Sequence, residues 1–385
     1  MTQTILFDPF DPQYNADPHA FYARLRQTAS VQRATLRDGQ TVWLVTGYAE
    51  VVAAFDDPRL VKDPRNARWS EELARLPALP EPTRYIRSHL LYRDPPDHTR
   101  LRRLVSKAFT PRMVEQLRPR VQAIADALLD AVTARGEMDV IDDYAFPLPI
   151  TVIAEMLGIP AADRAQFRDW SDALLTGTPP QLPGPAAVAA AEGLRCYFEA
   201  LFEERQRAPA DDLITGLLQA EEAGDKLSRQ ELHGMVYLLL VAGYETTANL
   251  IGSGTLALLL HPDQLARLLR DPALLPSAVE ELLRFCAPVA TSTMRYAAEE
   301  VTLGGQNHPK GGHGARGRHG GQPRPGPVPI PRHARHHPRR QQAPRIRARP
   351  PLLFGGAAGP ARGRNRSGDA VAPHAWTSAE WSART

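Results

Sequence analysis

Ala242-Gly243-Tyr244-Glu245-Thr246-Thr247 lies in the middle of the longest apolar run of the chain, Glu231 to Leu260. Ser228 and Glu231 have the S-x-x-E spacing of a capping box, in which each side chain accepts from the other's backbone N–H, so a helix is read from there onward. Its length would also suit a membrane span. Glu245, Thr246, Thr247 and Asn249 near its middle argue against that, because polar groups are costly in lipid. The expectation is a central helix buried on nearly all sides. Gly243 beside an acid and two hydroxyls is poor helix material, and a threonine hydroxyl that bonds back to a carbonyl one turn earlier loosens a helix. Such a place opens a polar notch in a dry interior, where the polar groups call for a water or a ligand.

Helical patterns surround this run. Asp17-Pro18 starts one, with Phe21, Tyr22 and Leu25 as its apolar side. The turn Asp38-Gly39 precedes a strand, Thr41 to Val45, and Tyr48 to Phe55 resumes helical spacing. Thr99 to Ala108 reads as a basic helix closed by Pro111. Met113 to Ala134 reads as one helix through Val114, Leu117, Val121, Ile124 and Leu128, and Ile150 to Leu157 as another, ended by Gly158 and Pro160. A second capped helix is read from Ser277 to Phe285.

Two polar patterns sit on these helices. In Asp94-Pro95-Pro96-Asp97-His98-Thr99-Arg100-Leu101-Arg102-Arg103, Asp97 is expected to cap a helix that sets His98 and Arg102 on one face, at i and i+4. Two such donors suit a carboxylate-bearing ligand, although a solvated basic helix fits the pattern equally well by itself. Glu281-Leu282-Leu283-Arg284 pairs an acid with an arginine at i, i+3, an ordinary surface pair in most proteins.

Composition divides the chain. With 43% hydrophobic and 23% charged residues among 385, most of it can bury a core. The net charge of +3 hides a split: residues 307–385 carry 15 basic and 2 acidic residues, which leaves 31 basic against 41 acidic in residues 1–306. One folded domain rarely divides its charge so sharply. The stretch after His308 also holds 12 Gly and 12 Pro, too dense for regular helices or sheets. Two cysteines, Cys196 and Cys286, exclude a disulfide framework or a CxxC metal site. Met1 to Tyr14 lacks a basic segment followed by an apolar one, so a soluble cytoplasmic protein is expected.

In this order and spacing, the notch, the basic helix and the E-x-x-R helix resemble the cytochrome P450 family of the soluble bacterial type, over roughly residues 5–310. The likeness extends through Phe146-Pro147 to Trp170, Asp211-Asp212-Leu213-Ile214 and Val301-Thr302-Leu303-Gly304-Gly305. It implies a mainly α fold with small β-sheets over residues 1–310, while the Gly and Pro density makes 311–385 an irregular or disordered segment. It implies haem b, with His98, Arg102 and Arg295 on its propionates and Ala242 and Gly243 against it. Glu245 and Thr246 become the acid–alcohol pair that delivers protons to bound dioxygen. Glu281 and Arg284 become a structural pair bracing the haem-side core. The implied reaction hydroxylates or epoxidises a small apolar substrate with O2 and two electrons, supplied by a ferredoxin and its reductase. Leu76 to Leu91 and Leu174 to Pro185 would line or cover the substrate pocket.

The family's axial iron ligand is the cysteine of a loop F-G-x-G-x-H-x-C-x-G. No such loop stands in the chain, and neither Cys196 nor Cys286 is at its position. Codons legal for Arg340 to Phe354, read one base later, spell D-N-K-H-L-A-F-G-H-G-L-H-Y-C, and Phe354 to Arg364 continue with L-G-A-P-L-A-R-L-E-G-E. Gly321-Gln322-Pro323-Arg324 likewise hides A-N-R-D. The reading frame is therefore expected to slip near Gly311, leaving a chain that is inactive as written and whose haem binding is in question. Two alternatives are a non-catalytic P450 fragment and a basic nucleic-acid-binding protein. The tail's charge alone supports the second, against the scarcity of aromatics for base stacking.

Overall fold

The computed structural model describes residues 5–7, 18–36, 41–67, 80–176, 184–222, 224–289, 291–308 and 345–347. These form a mainly helical body with small sheets at its edges, as the sequence led us to expect. Asp17, the Asp38-Gly39 turn, Gly311, and parts of Leu76–Leu91 and Leu174–Pro185 lie outside the described residues. So does the segment after 308, except Arg345–Arg347, which pairs antiparallel with Glu137–Asp139.

Helix Arg229–Leu260 is the axis of the molecule. The capping box forms as read: Ser228 Oγ accepts from Glu231 N, and the Glu231 carboxylate accepts from Ser228 N. Leu232, Met235, Val236 and Leu240 on its first half enter the main core, packing against helices Glu81–Ile86 and Pro147–Met156. Gly234 lets that first pair come close, since a Cβ there would stand 2.4 Å from Ser88 O. Helix Pro185–Arg207 adds Leu194, Phe198 and Phe202 to the same core. Its apolar positions recur every three to four residues, which makes it amphipathic. Each such side chain contributes about 1.5–3 kcal/mol when fully buried.

Arg100 ties the basic helix Asp97–Ala108 to this axis: Nη2 donates to the Glu231 carboxylate, and Nη1 to Asp225 Oδ2 at 3.3 Å. On the far side, Ile5–Leu6, Val31–Thr35 and Thr41–Val45 form a three-stranded sheet over a smaller core. A separate two-residue antiparallel pair joins Leu60–Val61 with Tyr296–Ala297.

Four expectations need correction. Asp97 is the first residue of its helix and caps nothing; Pro96 holds the N-cap position without a side-chain bond. The segment from Met113 to Ala134 is two helices, Pro111–Gln116 and Arg118–Thr133, because Pro119, which has no N–H to donate, starts a new one. Helix Leu275–Cys286 begins before Ser277, whose hydroxyl donates back to Leu274 O at 2.8 Å instead of capping. The central helix is not buried on nearly all sides, for Ala242 and Thr247 are exposed among the described residues.

Candidate functional site

The four residues Lys62, His98, Arg102 and Arg295 come together at one corner. The Asp94 carboxylate builds it by accepting from Lys62 N at 2.8 Å, Asp63 N at 2.9 Å and Asn66 Nδ2 at 3.0 Å. This fastens the segment after Val61 to the start of the basic helix, where His98 N donates to Asp94 O at 2.9 Å. Arg295, only 9% exposed, donates from Nη1 to Leu60 O at 3.2 Å and lies 4.7 Å over the Phe55 ring. Burial lowers the pKa of His98, as do Lys62 and Arg102, against the opposing pull of Asp94. Burial lowers that of Lys62 too, aided by Arg295 and Arg102 and again opposed by Asp94. A corner where cations depress one another is a site for an anion.

The notch on the central helix lies nearby. Thr246 Oγ1 donates to Ala242 O at 2.9 Å and Thr247 Oγ1 to Gly243 O at 3.2 Å. The hydroxyls bond back one turn as expected, yet the backbone remains helical from Arg229 to Leu260. Gly243 packs against Ile153, where a Cβ would meet Cγ1 at 3.1 Å. Glu245 is half-buried, and burial raises the pKa of Tyr237, with smaller contributions from Tyr92, Tyr244 and Glu245. Thr246 and Thr247 line a cavity of about 780 Å³ together with Phe55, Leu250, Leu283 and Arg284. Phe55 is shared: one face of its ring meets the Arg295 guanidinium, and the residue forms part of the cavity wall. Ala287 borders the cavity in the left-handed region, at φ 39°, where the chain turns off the last helix.

Glu281 and Arg284 form a two-pronged pair, Nε to Oε2 at 2.7 Å and Nη2 to Oε1 at 2.6 Å. Among the described residues the two side chains are 59% and 70% exposed. Each residue holds the other's pKa away from its ordinary value, Glu281 below and Arg284 above.

Neither cysteine reaches the cavity. Cys196 is exposed and donates to Glu192 Oε1 at 3.4 Å. Cys286 is 2% exposed and absent from the cavity wall, although Arg284 and Ala287 beside it are present. Among the described residues no group of three or more His, Cys, Asp or Glu is placed to hold a metal ion. Sequence reasoning missed Lys62 and Phe55. No spacing marks either one; Lys62 follows the strand that pairs beside Arg295, and Phe55, on helix Tyr48–Asp56, lies under the Arg295 guanidinium.

The chain has close relatives. A family sequence model described as Cytochrome P450 matches residues 184–313. Cytochrome P450 107B1 of Saccharopolyspora erythraea is 47% identical over 304 residues, covering 78% of this chain and 74% of the relative. Vitamin D(3) 25-hydroxylase of Pseudonocardia autotrophica is 45% identical over 311 residues, 80% of this chain and 74% of the relative. Among solved structures, the cytochrome P450 PksS of the Bacillus subtilis bacillaene polyketide synthase superposes with a TM-score of 0.73 at 35% identity, covering 85% of this chain and 77% of that one. By these identities and coverages, the chain belongs to the cytochrome P450 family of haem-containing monooxygenases.

Proposed function

We propose that residues 1–310 are the scaffold of a monooxygenase that hydroxylates or epoxidises a mainly apolar organic substrate, and that the chain as written does not complete the reaction. The observation that carries this reading is the cation corner beside a threonine-lined cavity whose wall contains no cysteine. Haem, when bound, supplies the family's oxygen chemistry. The residues present fit its carboxylate edge, since His98, Arg102 and Arg295 offer donors to a dianion at one corner. They do not fit its iron, since Cys196 and Cys286 both lie away from the cavity.

The remaining roles fall to other residues of the same helix and to outside partners. Thr246 holds its hydroxyl proton on Ala242 O and can redirect it into the cavity by a rotation about χ1. Glu245, one residue earlier and half-buried, is the acid that replenishes that proton. Ala242, exposed and carrying only a methyl group, leaves room for a flat cofactor against the helix, whereas the space beside the neighbouring Gly243 is taken by Ile153. The hydroxylase name of one relative and the polyketide synthase to which another belongs support a substrate with an extended carbon skeleton. Electrons come from a ferredoxin and its reductase. The central helix is long and apolar enough to cross a membrane, yet its first half is packed into the main core, which supports a soluble, cytoplasmic protein.

The missing cysteine loop is encoded one base out of step, and the frame slips near Gly311. A DNA read across that codon is expected to restore the F-G-x-G-x-H-x-C motif with a single-base change. The purified 385-residue chain, reduced and exposed to CO, should lack the thiolate-type Soret band. Finding that band, or finding no such motif in any frame of the DNA, would sink the proposal.

A further inference from the structure

The pair Leu60–Val61 with Tyr296–Ala297 has the register Leu60↔Ala297 and Val61↔Tyr296. Lys62 follows Val61 directly and Arg295 precedes Tyr296, so the two cations stand at the same end of this pair, and Arg295 acts to lower the Lys62 pKa. Like charges held this close repel, and water only partly dilutes the repulsion, because Lys62 is half-buried and Arg295 is buried. The basic helix adds His98 and Arg102 to the same corner, and each is electrostatically coupled to Lys62.

The acid facing these groups is Asp94. It is occupied by two backbone N–H groups and the Asn66 amide. The neighbouring acid, Asp63, is engaged by Arg65 at 2.5 Å and by Arg93 at 3.6 Å. No carboxylate is paired with the Lys62 ammonium among the described residues. The fold thus gathers four cationic or donor groups at one corner, with a Lys62 ammonium that no carboxylate pairs among the described residues, an arrangement that favours an incoming anion.

We propose that Lys62 is a further cofactor-binding residue, which with Arg295 receives a carboxylate of the bound tetrapyrrole. This rests on the haem reading above. It assigns Lys62 a role that neither its surroundings in the sequence nor the basic-helix motif indicates.

The test uses metal-free protoporphyrin IX, whose binding does not depend on an iron ligand, and its dimethyl ester, in which the carboxylates are masked. The full 385-residue chain is titrated with each, with tryptophan fluorescence as the readout. Lys62→Met keeps the stem that packs and removes the charge; Lys62→Arg keeps the charge. Lys62→Met should bind the diacid about ten-fold more weakly than the parent chain, with an unchanged melting temperature, while Lys62→Arg stays within about two-fold. The parent should also discriminate diacid from ester more strongly than Lys62→Met does. If Lys62→Met matches the parent while Arg102→Gln is weakened, the haem reading stands and the role of Lys62 is overturned. If the parent binds diacid and ester equally, or binds neither, the haem reading itself fails and takes this inference with it.

Discussion

His89 shows how one residue's surroundings set its chemistry. Its side chain is buried, Nδ1 accepts from Leu91 N at 3.3 Å, and the ring tilts against Tyr92 with centroids 4.9 Å apart. Burial, with Arg93 and Arg87 nearby, lowers its pKa to about 3. The folded protein therefore keeps His89 neutral, while the unfolded chain takes up a proton below about pH 6.5. Because the unfolded state binds the extra proton, stability falls as the pH drops from about 6.5 to 3, by up to about 1.4 kcal/mol per unit from this group. His89→Asn, which keeps an acceptor at the same helix start but does not titrate there, should show a shallower loss. Urea denaturation at pH 7, 5 and 4 would check this, and parallel pH slopes for the two proteins would refute it. A histidine's letter carries no sign of this behaviour, since burial is a property of the fold.

At the scale of the element, the central helix owes its place to close approaches that differ in what stands opposite. A Cβ on Gly234 would fall 2.4 Å from Ser88 O and 2.5 Å from Ser88 C, both backbone atoms that cannot turn aside. A Cβ on Gly216, in helix Leu213–Gln219, would meet only Ala108 Cβ at 3.4 Å. Alanine is favoured over glycine in a helix by about 1 kcal/mol. Gly216→Ala should therefore gain roughly 0.5–1 kcal/mol, whereas Gly234→Ala should lose about 2 kcal/mol or more through forced separation of the packed elements. Chemical denaturation of the two variants measures both signs, and a stabilised Gly234→Ala would contradict the packing described. The capping box at Ser228 and Glu231 was legible because it is a local bond pattern. The break at Pro119 was not, because the 3.6-residue period of apolar positions runs on through a change of helix.

For the whole molecule, the E-x-x-R helix is the face left open among the described residues. Leu275, Val279 and Leu283 recur every four residues along it, and all three are exposed. The cavity of about 780 Å³ and a cleft of about 550 Å³ lie on either side of Arg284. An apolar stripe of this kind draws other apolar surfaces to itself. The 385-residue chain should accordingly bind a dye that reports exposed apolar surface. The triple substitution L275Q/V279Q/L283Q should reduce that signal while leaving the melting temperature within a few degrees. An undiminished dye signal would show that the stripe is covered in solution.

The sequence alone determined that the body is helical, that one long apolar helix carries a polar notch, and which of its segments resemble the cytochrome P450 family. It also exposed the charge break near residue 307. These are properties of neighbours along the chain, where spacing of three, four or seven residues translates directly into a helix face. Only the tertiary structure decided that Lys62 and Phe55 join Arg295, that both cysteines stand apart from the cavity, and that Glu281 and Arg284 lie in the open. Those facts depend on strand register and on which helix faces meet. Both are settled by burial summed over the whole core, which no short stretch of sequence contains.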